Sequence, residues 1–420
     1  MSLRVLVLGS GAREHALAWA IARSPRCGAL CVAPGNGGTA GLADNVGLDP
    51  ADASAVVRFA RGNAIDLVVI GPEAPLVAGV ADALRSAGVP CYGPSAAAAR
   101  IEGSKAFARS VMERAGVPHA PGAAFDDPAV AEAYLRTAPE PPVVKADGLA
   151  AGKGVRVPRT RAAAVRAVRA AMVRREFGDA GRTVVLERRL VGQEVSAHAL
   201  CSATNAVLLP FARDYKRLRA GDRGPNTGGM GVYSPPPFAT PELATFVLER
   251  VVRPTLAELA ARGAPYVGTL YPGLMLTDAG PHVLEFNCRF GDPETQVLVP
   301  RLTGDLLNAL HGAARGTLPS DLEVRPEAAV GVVLAAPGYP TDPRTGGEIV
   351  GLDEVDPDVL IFHAGTRRDG RRLVTSGGRV LTVVATGSTV AEARRRVYAN
   401  VRRVRFPGRQ FRIDIGLEAV

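Results

Sequence analysis

The chain opens on an apolar run, residues 4–8, that ends in Gly-Ser-Gly. Short apolar runs recur at 30–33, 67–70 and 91–92, and the first is followed by a helix predicted over 14–22. Short, continuously apolar strands separated by helices predict a parallel, doubly wound sheet, because both faces of such a sheet are covered. Ligands of these sheets sit at the strand C-termini. Those ends carry Gly9-Ser10-Gly11, Pro34-Gly35-Asn36-Gly37-Gly38, Gly71-Pro72-Glu73 and Gly93-Pro94-Ser95. Four glycine-bearing loops on one edge predict a site for an anion such as a phosphate. A dinucleotide is disfavoured. Glu14 stands where the fingerprint needs its third glycine, and the second strand ends in Pro34-Gly35-Asn36 without an acid for a ribose. A sugar phosphate, held by backbone N–H groups and Arg13, fits better.

The texture changes near residue 104. A helix over 104–115 leads to a strand over 143–146, which runs into Asp147-Gly148-Leu149-Ala150-Ala151-Gly152-Lys153-Gly154. A strand over 183–187 precedes Gly192-Gln193-Glu194, and acidic motifs continue to about residue 325. From Ala328 onward a smaller unit is predicted. It has a strand over 359–362, a strand–turn–strand over 374–380, a helix over 389–403 and a closing strand near 412–415.

With 420 residues the chain exceeds one ordinary core, so two to four packed units are expected. No apolar run approaches bilayer length, and the N-terminus has neither a basic region nor a cleavage site, which predicts a cytoplasmic protein. Cys27, Cys31, Cys91, Cys201 and Cys288 are scattered and read as reduced thiols. The net charge of +9 raises nucleic-acid binding, but the arginines are strewn along helices without interleaved aromatics, so no nucleic-acid partner is expected. Only four of the 50 basic residues are lysine: Lys105, Lys145, Lys153 and Lys216. In so arginine-rich a chain, a retained lysine marks a place that wants a compact ammonium, and all four lie in glycine-rich or strand-end segments.

Three constellations carry chemistry. The loop 148–154 fails the Walker A pattern, since three residues separate Gly148 from Gly152 and Gly154 replaces the metal-binding Ser or Thr. It reads as a glycine-rich flap over a triphosphate, with Lys145 arriving from the preceding strand. The segment 282–290, His-Val-Leu-Glu-Phe-Asn-Cys-Arg-Phe, begins as a strand, so Glu285, Asn287 and Arg289 share a face while Phe286, Cys288 and Phe290 point into packing. A carboxylate and an amide oxygen two residues apart suit Mg²⁺, which completes its shell with phosphate and water. Arg289 offers a fork to a carboxylate or a transferring phosphoryl group. The third is Asp214-Tyr215-Lys216-Arg217 followed by residues 222–231, where glycines let backbone amides approach an anion and Asn226 and Thr227 can orient it. The six histidines do not pair at metal spacing, and neither a hydrolase elbow nor a zinc motif is present.

In this order the three constellations resemble the ATP-grasp ligases, and the match is close to the phosphoribosylamine–glycine ligase family. The matching pieces are residues 9–16, 34–40, 71–76, 102–105, 145–154, 225–231, 285–296, 362–366 and 375–380, spread over nearly the whole chain. The resemblance implies an α/β chain with an N-terminal doubly wound parallel sheet over 1–102 that binds phosphoribosylamine. It further implies a central ATP-grasp fold of two α+β subdomains over 103–325, with a mobile lid at about 120–187, and a small C-terminal α+β domain over 326–420. It implies ATP with Mg²⁺ or Mn²⁺, glycine and 5-phosphoribosylamine as substrates, a glycyl phosphate intermediate, and a monomer without membrane contact. Carried over residue by residue, Glu285 and Asn287 hold the metal, and Arg289, Asp214 and Lys216 act at the reacting carboxylate and phosphate. ATP contacts Lys105, Lys145, Lys153, Glu187, Leu190 and Glu194. The phosphoribosylamine side uses Gly11, Arg13, Asn36, Gly37, Pro72, Glu73, Asn226, Thr227 and Asp292.

The chain departs from the family pattern at Ala12, Tyr215 and Pro337, where Gly, His and Gly are usual, and in its hinge Glu187-Arg188-Arg189-Leu190-Val191-Gly192-Gln193-Glu194. Adenine is read mostly by backbone groups, so ATP use is expected to survive. Two rival readings are a sister ligase with another acid or amine, and a regulator without catalysis. Residues 34–40 and 362–366 argue against the first, and the presence of Lys145, Glu285 and Asn287 against the second.

Overall fold

The computed structural model describes residues 2–150, 154–319 and 322–420. The apolar runs of the first hundred or so residues form the expected parallel sheet, in the spatial order Asp44–Asn45, Cys27–Pro34, Leu3–Gly9, Leu67–Ile70, Cys91–Tyr92. Alternation along these strands splits their side chains between two cores. Leu6, Leu8, Val68 and Ile70 enter one, and Val5, Val7, Leu67 and Val69 the other. The strand order reverses on either side of Leu3–Gly9, so the loops after it open a crevice at the sheet's C-terminal edge.

The helix Lys105–Ala115 starts because the Ser104 hydroxyl accepts from Phe107 N–H, and it stops at Gly116, whose φ of 65° suits glycine. Beyond it lies a four-stranded antiparallel sheet, ordered Gly122–Phe125, Val184–Glu187, Val143–Ala146, Val155–Arg156. The helices Pro128–Thr137 and Arg161–Val168 cover it, with a small core of their own around Leu135, Val144, Val168 and Leu186. A second antiparallel sheet is built on the long strand Tyr266–Thr277, flanked by Gln193–Ser196, Ala199–Ala203 and Gly280–Asn287. This sheet shares its core with the N-terminal one, since Val195, Leu270 and Phe286 pack in the cluster that holds Leu8 and Ile70.

A further sheet runs Arg213–Asp214, Gly231–Ser234, Ala328–Ala335, Arg379–Gly387, Leu360–His363, covered by the helix Val390–Val401. Two strands from the 213–234 stretch thus complete the sheet of the C-terminal segment. Two sequence expectations fail here. Arg372–Thr375 and Arg379–Gly387 do not pair as a hairpin; the first pairs with Thr366–Asp369, the second with Ala328–Ala335 and Leu360–His363. The backbones of Gly365 and Gly377 meet between them, so that a Cβ on Gly365 would lie 2.5 Å from Gly377. Residues 412–415 are not a strand, because their backbone groups bond side chains: the Tyr398 hydroxyl donates to Arg412 O and accepts from Ile415 N–H.

Candidate active site

The lysines singled out by their rarity gather around one cleft, except Lys153, which lies outside the described residues. Lys145, in the middle of its antiparallel sheet, bonds Glu187 Oε2 at 2.6 Å and Leu284 O at 2.7 Å. Leu284 has that carbonyl free because it is bulged: Val283 and Glu285 pair with Leu274 and Gly273, and Leu284 has no partner opposite. Glu187 also faces Arg109 at 3.7 Å, so its buried carboxylate is engaged by two cations and orients Lys145. Lys105 begins its helix beside the loop after Val143–Ala146. Asp147 accepts from Ala106 N–H and the Ser104 hydroxyl, fastening that loop to the helix start. Burial, and Lys145 nearby, lower the Lys105 pKa.

Along the strand Gly280–Asn287 the predicted alternation holds. Phe286, Cys288 and Phe290 are buried, and Glu285, Asn287 and Arg289 turn to the other side. Burial would raise the Glu285 carboxyl, but Lys216, Lys145, Lys105 and Arg289 together hold it below the ordinary carboxylate value. Arg289 reaches Asn287 Oδ1 at 3.1 Å, Glu102 Oε1 at 3.0 Å and Glu73 Oε2 at 3.3 Å. The other Glu102 oxygen accepts from Cys288 N–H at 2.7 Å. Two acids of the N-terminal unit therefore aim an arginine of the central unit. Glu102 stood inside a matching motif in the sequence, but only its reach to Arg289 gives it a role.

Asp214 and Lys216 sit against Glu194 and Glu285 around a cavity of about 10 Å³, with Lys216 3.5 Å from Glu194 Oε2. Burial pushes the Asp214 carboxyl up while Lys216 pulls it back, and Asp214 in turn raises Lys216 well above its usual value. Behind them the Tyr271 hydroxyl donates to Glu294 Oε1 at 2.6 Å and meets Ser196 Oγ at 2.9 Å. His198 stacks on Tyr271 and accepts from Gly291 N–H, bracing the turn that carries Asp292. Sequence reasoning missed this brace, whose members are dispersed along the chain.

The second half of the site is a cavity of about 670 Å³ at the crevice of the parallel sheet. Gly11, Asn36, Gly37 and Asp292 all line it, Asp292 from just beyond the strand Gly280–Asn287. Asn36 contributes structure: its Nδ2 donates to Ser10 O and His363 O, and its Oδ1 accepts from Gly38 and Thr39 N–H. The opposite wall is basic and belongs to the C-terminal segment, with Arg367, Arg368 and Arg379 beside Thr366 and Ser376. Arg379 bonds Asp292 Oδ2 at 2.9 Å; against the upward push of burial, Arg379 and Arg13 hold Asp292 low. Arg367 and Arg368 follow the matching motif 362–366 directly, which is the signal that could have found them.

Other expected residues fall elsewhere. Arg13 is buried against Glu14, 2.5 Å away, and Phe290 O, and does not line the cavity. Pro72 caps the short helix Glu73–Val77, which places Glu73 at Arg289. Asn226 ends a strand paired to Arg217, and Thr227 bonds Lys216 O, so both shape the turn beside the cavity. Leu190 lies between the strands Val184–Glu187 and Gln193–Ser196.

The donor set fits a magnesium-type ion. Among the described residues no cluster of three His, Cys, Asp or Glu forms a self-sufficient cage. One ionised carboxylate and one amide oxygen on a shared face leave the remaining positions to phosphate and water, as Mg²⁺ accepts.

The chain resembles known proteins over nearly its whole length. Residues 3–102, 103–295 and 329–418 match the phosphoribosylglycinamide synthetase N, ATP-grasp (A) and C domains. The chain is 49% identical to a phosphoribosylamine–glycine ligase of Caulobacter vibrioides over 422 aligned residues, covering all of this chain and 99% of the relative. A second, from Mesorhizobium japonicum, is 49% identical over 420 residues with the same coverage. Among solved structures, phosphoribosylamine–glycine ligase of Thermotoga maritima superposes with a TM-score of 0.87 at 37% identity, over 98% of this chain and 100% of that one. The biotin carboxylase domain of Hydrogenobacter thermophilus 2-oxoglutarate carboxylase, solved with MgADP, superposes at 0.76 with 16% identity over 98% of this chain and 92% of that one, which shows a shared ATP-grasp fold.

Proposed function

The chain belongs to the phosphoribosylglycinamide synthetase family, and on that premise we propose how its two half-sites divide the reaction. It is a carbon–nitrogen ligase that uses ATP to join glycine to 5-phosphoribosylamine, giving glycinamide ribonucleotide, ADP and phosphate in purine biosynthesis. ATP lies in the cleft of Lys105, Lys145, Glu194 and Leu190. Glu285 and Asn287 hold Mg²⁺, and Mn²⁺ substitutes because the ligands are oxygens. An ion held there would supply neutralisation of the charge on the phosphate oxygens. Arg289 receives the glycine carboxylate, whose attack on ATP gives the glycyl phosphate, and Lys216 balances the charge that develops there. The flap expected from the sequence at 148–154 falls partly outside the described residues, at 151–153.

The large cavity takes phosphoribosylamine, with its phosphate against Arg367 and Arg368 and its amine toward Asp292 and Glu73. The amine attacks the acyl carbon and phosphate leaves. One observation carries this division: Asp292, which lines the cavity, follows three residues after Arg289 in the cleft, so the two half-sites adjoin along one turn of chain. The reading is of a cytoplasmic monomer; sedimentation of the purified protein checks the second part. ADP release with ATP, Mg²⁺, glycine and freshly made phosphoribosylamine, each omitted in turn, tests the whole reading. ADP only with the full set, together with glycinamide ribonucleotide, supports it. ADP with a different acid or amine would keep the chemistry and remove the substrate assignment.

A further inference from the structure

Asp214 and Lys216 are separated by one residue, Tyr215, on an extended stretch whose side chains alternate. Tyr215 therefore points away from the reaction centre. There it is buried, and the last residues of the chain grip it. Its hydroxyl donates to Glu418 Oε2 at 2.5 Å and accepts from Gly416 N–H at 2.8 Å, and the Arg412 guanidinium lies 4.7 Å over its ring. Glu418 also pairs with Arg213 at 3.2 Å, on the other side of Asp214.

The same tail holds the hairpin Arg217–Arg219 and Arg223–Asn226 that follows Lys216. Arg412, almost wholly buried, donates to Arg217 O at 3.2 Å and to Asp222 Oδ1 at 2.7 Å, and Asp414 accepts from Gly221 N–H at 2.8 Å. A two-stranded hairpin is marginal by itself, and this one turns through Asp222 at a φ of 50°, a conformation that costs a non-glycine residue energy. The Arg412 contact offsets that cost. On its far side the tail is fixed by Arg394, which donates to Ile413 O and Ile415 O from the C-terminal helix.

We propose that residues 412–418 are a positioning device for the reaction: through Tyr215 and the adjoining hairpin they fix where Asp214 and Lys216 present their charges. Tyr215 and Glu418 are positioning residues and touch no substrate. The inference rests on the reading that Lys216 serves the transferring phosphoryl group. A small displacement of such a group costs rate while leaving the nucleotide's own contacts intact.

The test uses the full chain with Tyr215→Phe, Glu418→Ala, Glu418→Gln and the double variant Tyr215→Phe/Glu418→Ala, beside Lys216→Ala. Tyr215→Phe and Glu418→Ala are each expected to lower kcat on the order of tenfold with the ATP KM unchanged. Glu418→Gln, which keeps an acceptor for the phenol, retains most of kcat. The double variant falls no further than the worse single one, as expected of one coupled unit. Thermal melting of each variant corrects for any loss of folded protein. If Lys216→Ala is inactive while both tail variants keep wild-type kcat, or lose it only in proportion to folded protein, the positioning role is overturned. If Lys216→Ala itself is fully active, the reading beneath the inference fails, and the inference with it.

Discussion

The Lys145–Glu187 pair shows how a single residue can be both catalytic and structural. Both side chains are buried, and their 2.6 Å contact lies where a lone charge would be costly. Lys145→Met leaves Glu187 with only the 3.7 Å contact to Arg109. It should destabilise the protein by about 3 kcal/mol in urea unfolding, besides abolishing ADP formation. Adding Glu187→Gln should restore most of the stability and none of the activity. Recovery of activity by the double variant would contradict the role given to Lys145. Lysine scarcity alone made Lys105, Lys145 and Lys216 legible in the sequence as a set. What Glu187 does was not legible, because a carboxylate 42 positions away becomes a partner only when two strands of one sheet align.

Among elements, the loop after Cys27–Pro34 is held by Asn36 side-chain bonds in which one amide both donates and accepts. Asn36→Ala is expected to raise KM for phosphoribosylamine about tenfold, the loss of one or two charge-free hydrogen bonds to a now disordered wall. The ATP KM should not change, because the cleft around Lys145 contains no part of this loop. Equal effects on both constants would mean that the loop does not belong to one half-site. Strand alternation made the Glu285, Asn287, Arg289 face readable, since a two-residue period survives in any strand. The bulge at Leu284 was hidden, because it depends on the register against Tyr266–Thr277. Residues 374–380 read as a hairpin for the same reason: local pattern shows where strands lie, and which strand each one pairs with is settled by distant partners.

In the whole molecule, the N-terminal and C-terminal units meet at two histidines, His15 buried and His363 half-buried. The His363 N–H donates to His15 Nδ1 at 2.9 Å, and a Cβ on Gly38 would lie 2.5 Å from both rings. Burial, with His363 adding to it, lowers His15 to about 3, and burial lowers His363 to about 4. The folded protein keeps them neutral while the unfolded chain takes up protons below its own pKa near 6.5. Their stabilisation is therefore complete above about pH 6.5 and is lost as pH falls toward the folded values. Asp214, whose pKa is raised, works in the opposite sense, so the clean readout is a difference between variants. His15→Gln should flatten the unfolding free energy between about pH 6.5 and pH 5, by at most about 1.4 kcal/mol per pH unit relative to wild type. An unchanged slope would mean that His15 does not stay neutral. The parallel sheet and its ligand edge were plain from short apolar strands. The basic wall of the large cavity was not, because Arg367, Arg368 and Arg379 reach it from the far end of the chain. The central claim is that the glycine carboxylate attacks ATP, so that the amine meets a glycyl phosphate. Glycine labelled with heavy oxygen in its carboxylate tests this directly, by mass analysis of the phosphate released during turnover. Heavy oxygen in that phosphate is the predicted result; unlabelled phosphate alongside full formation of glycinamide ribonucleotide would contradict the account.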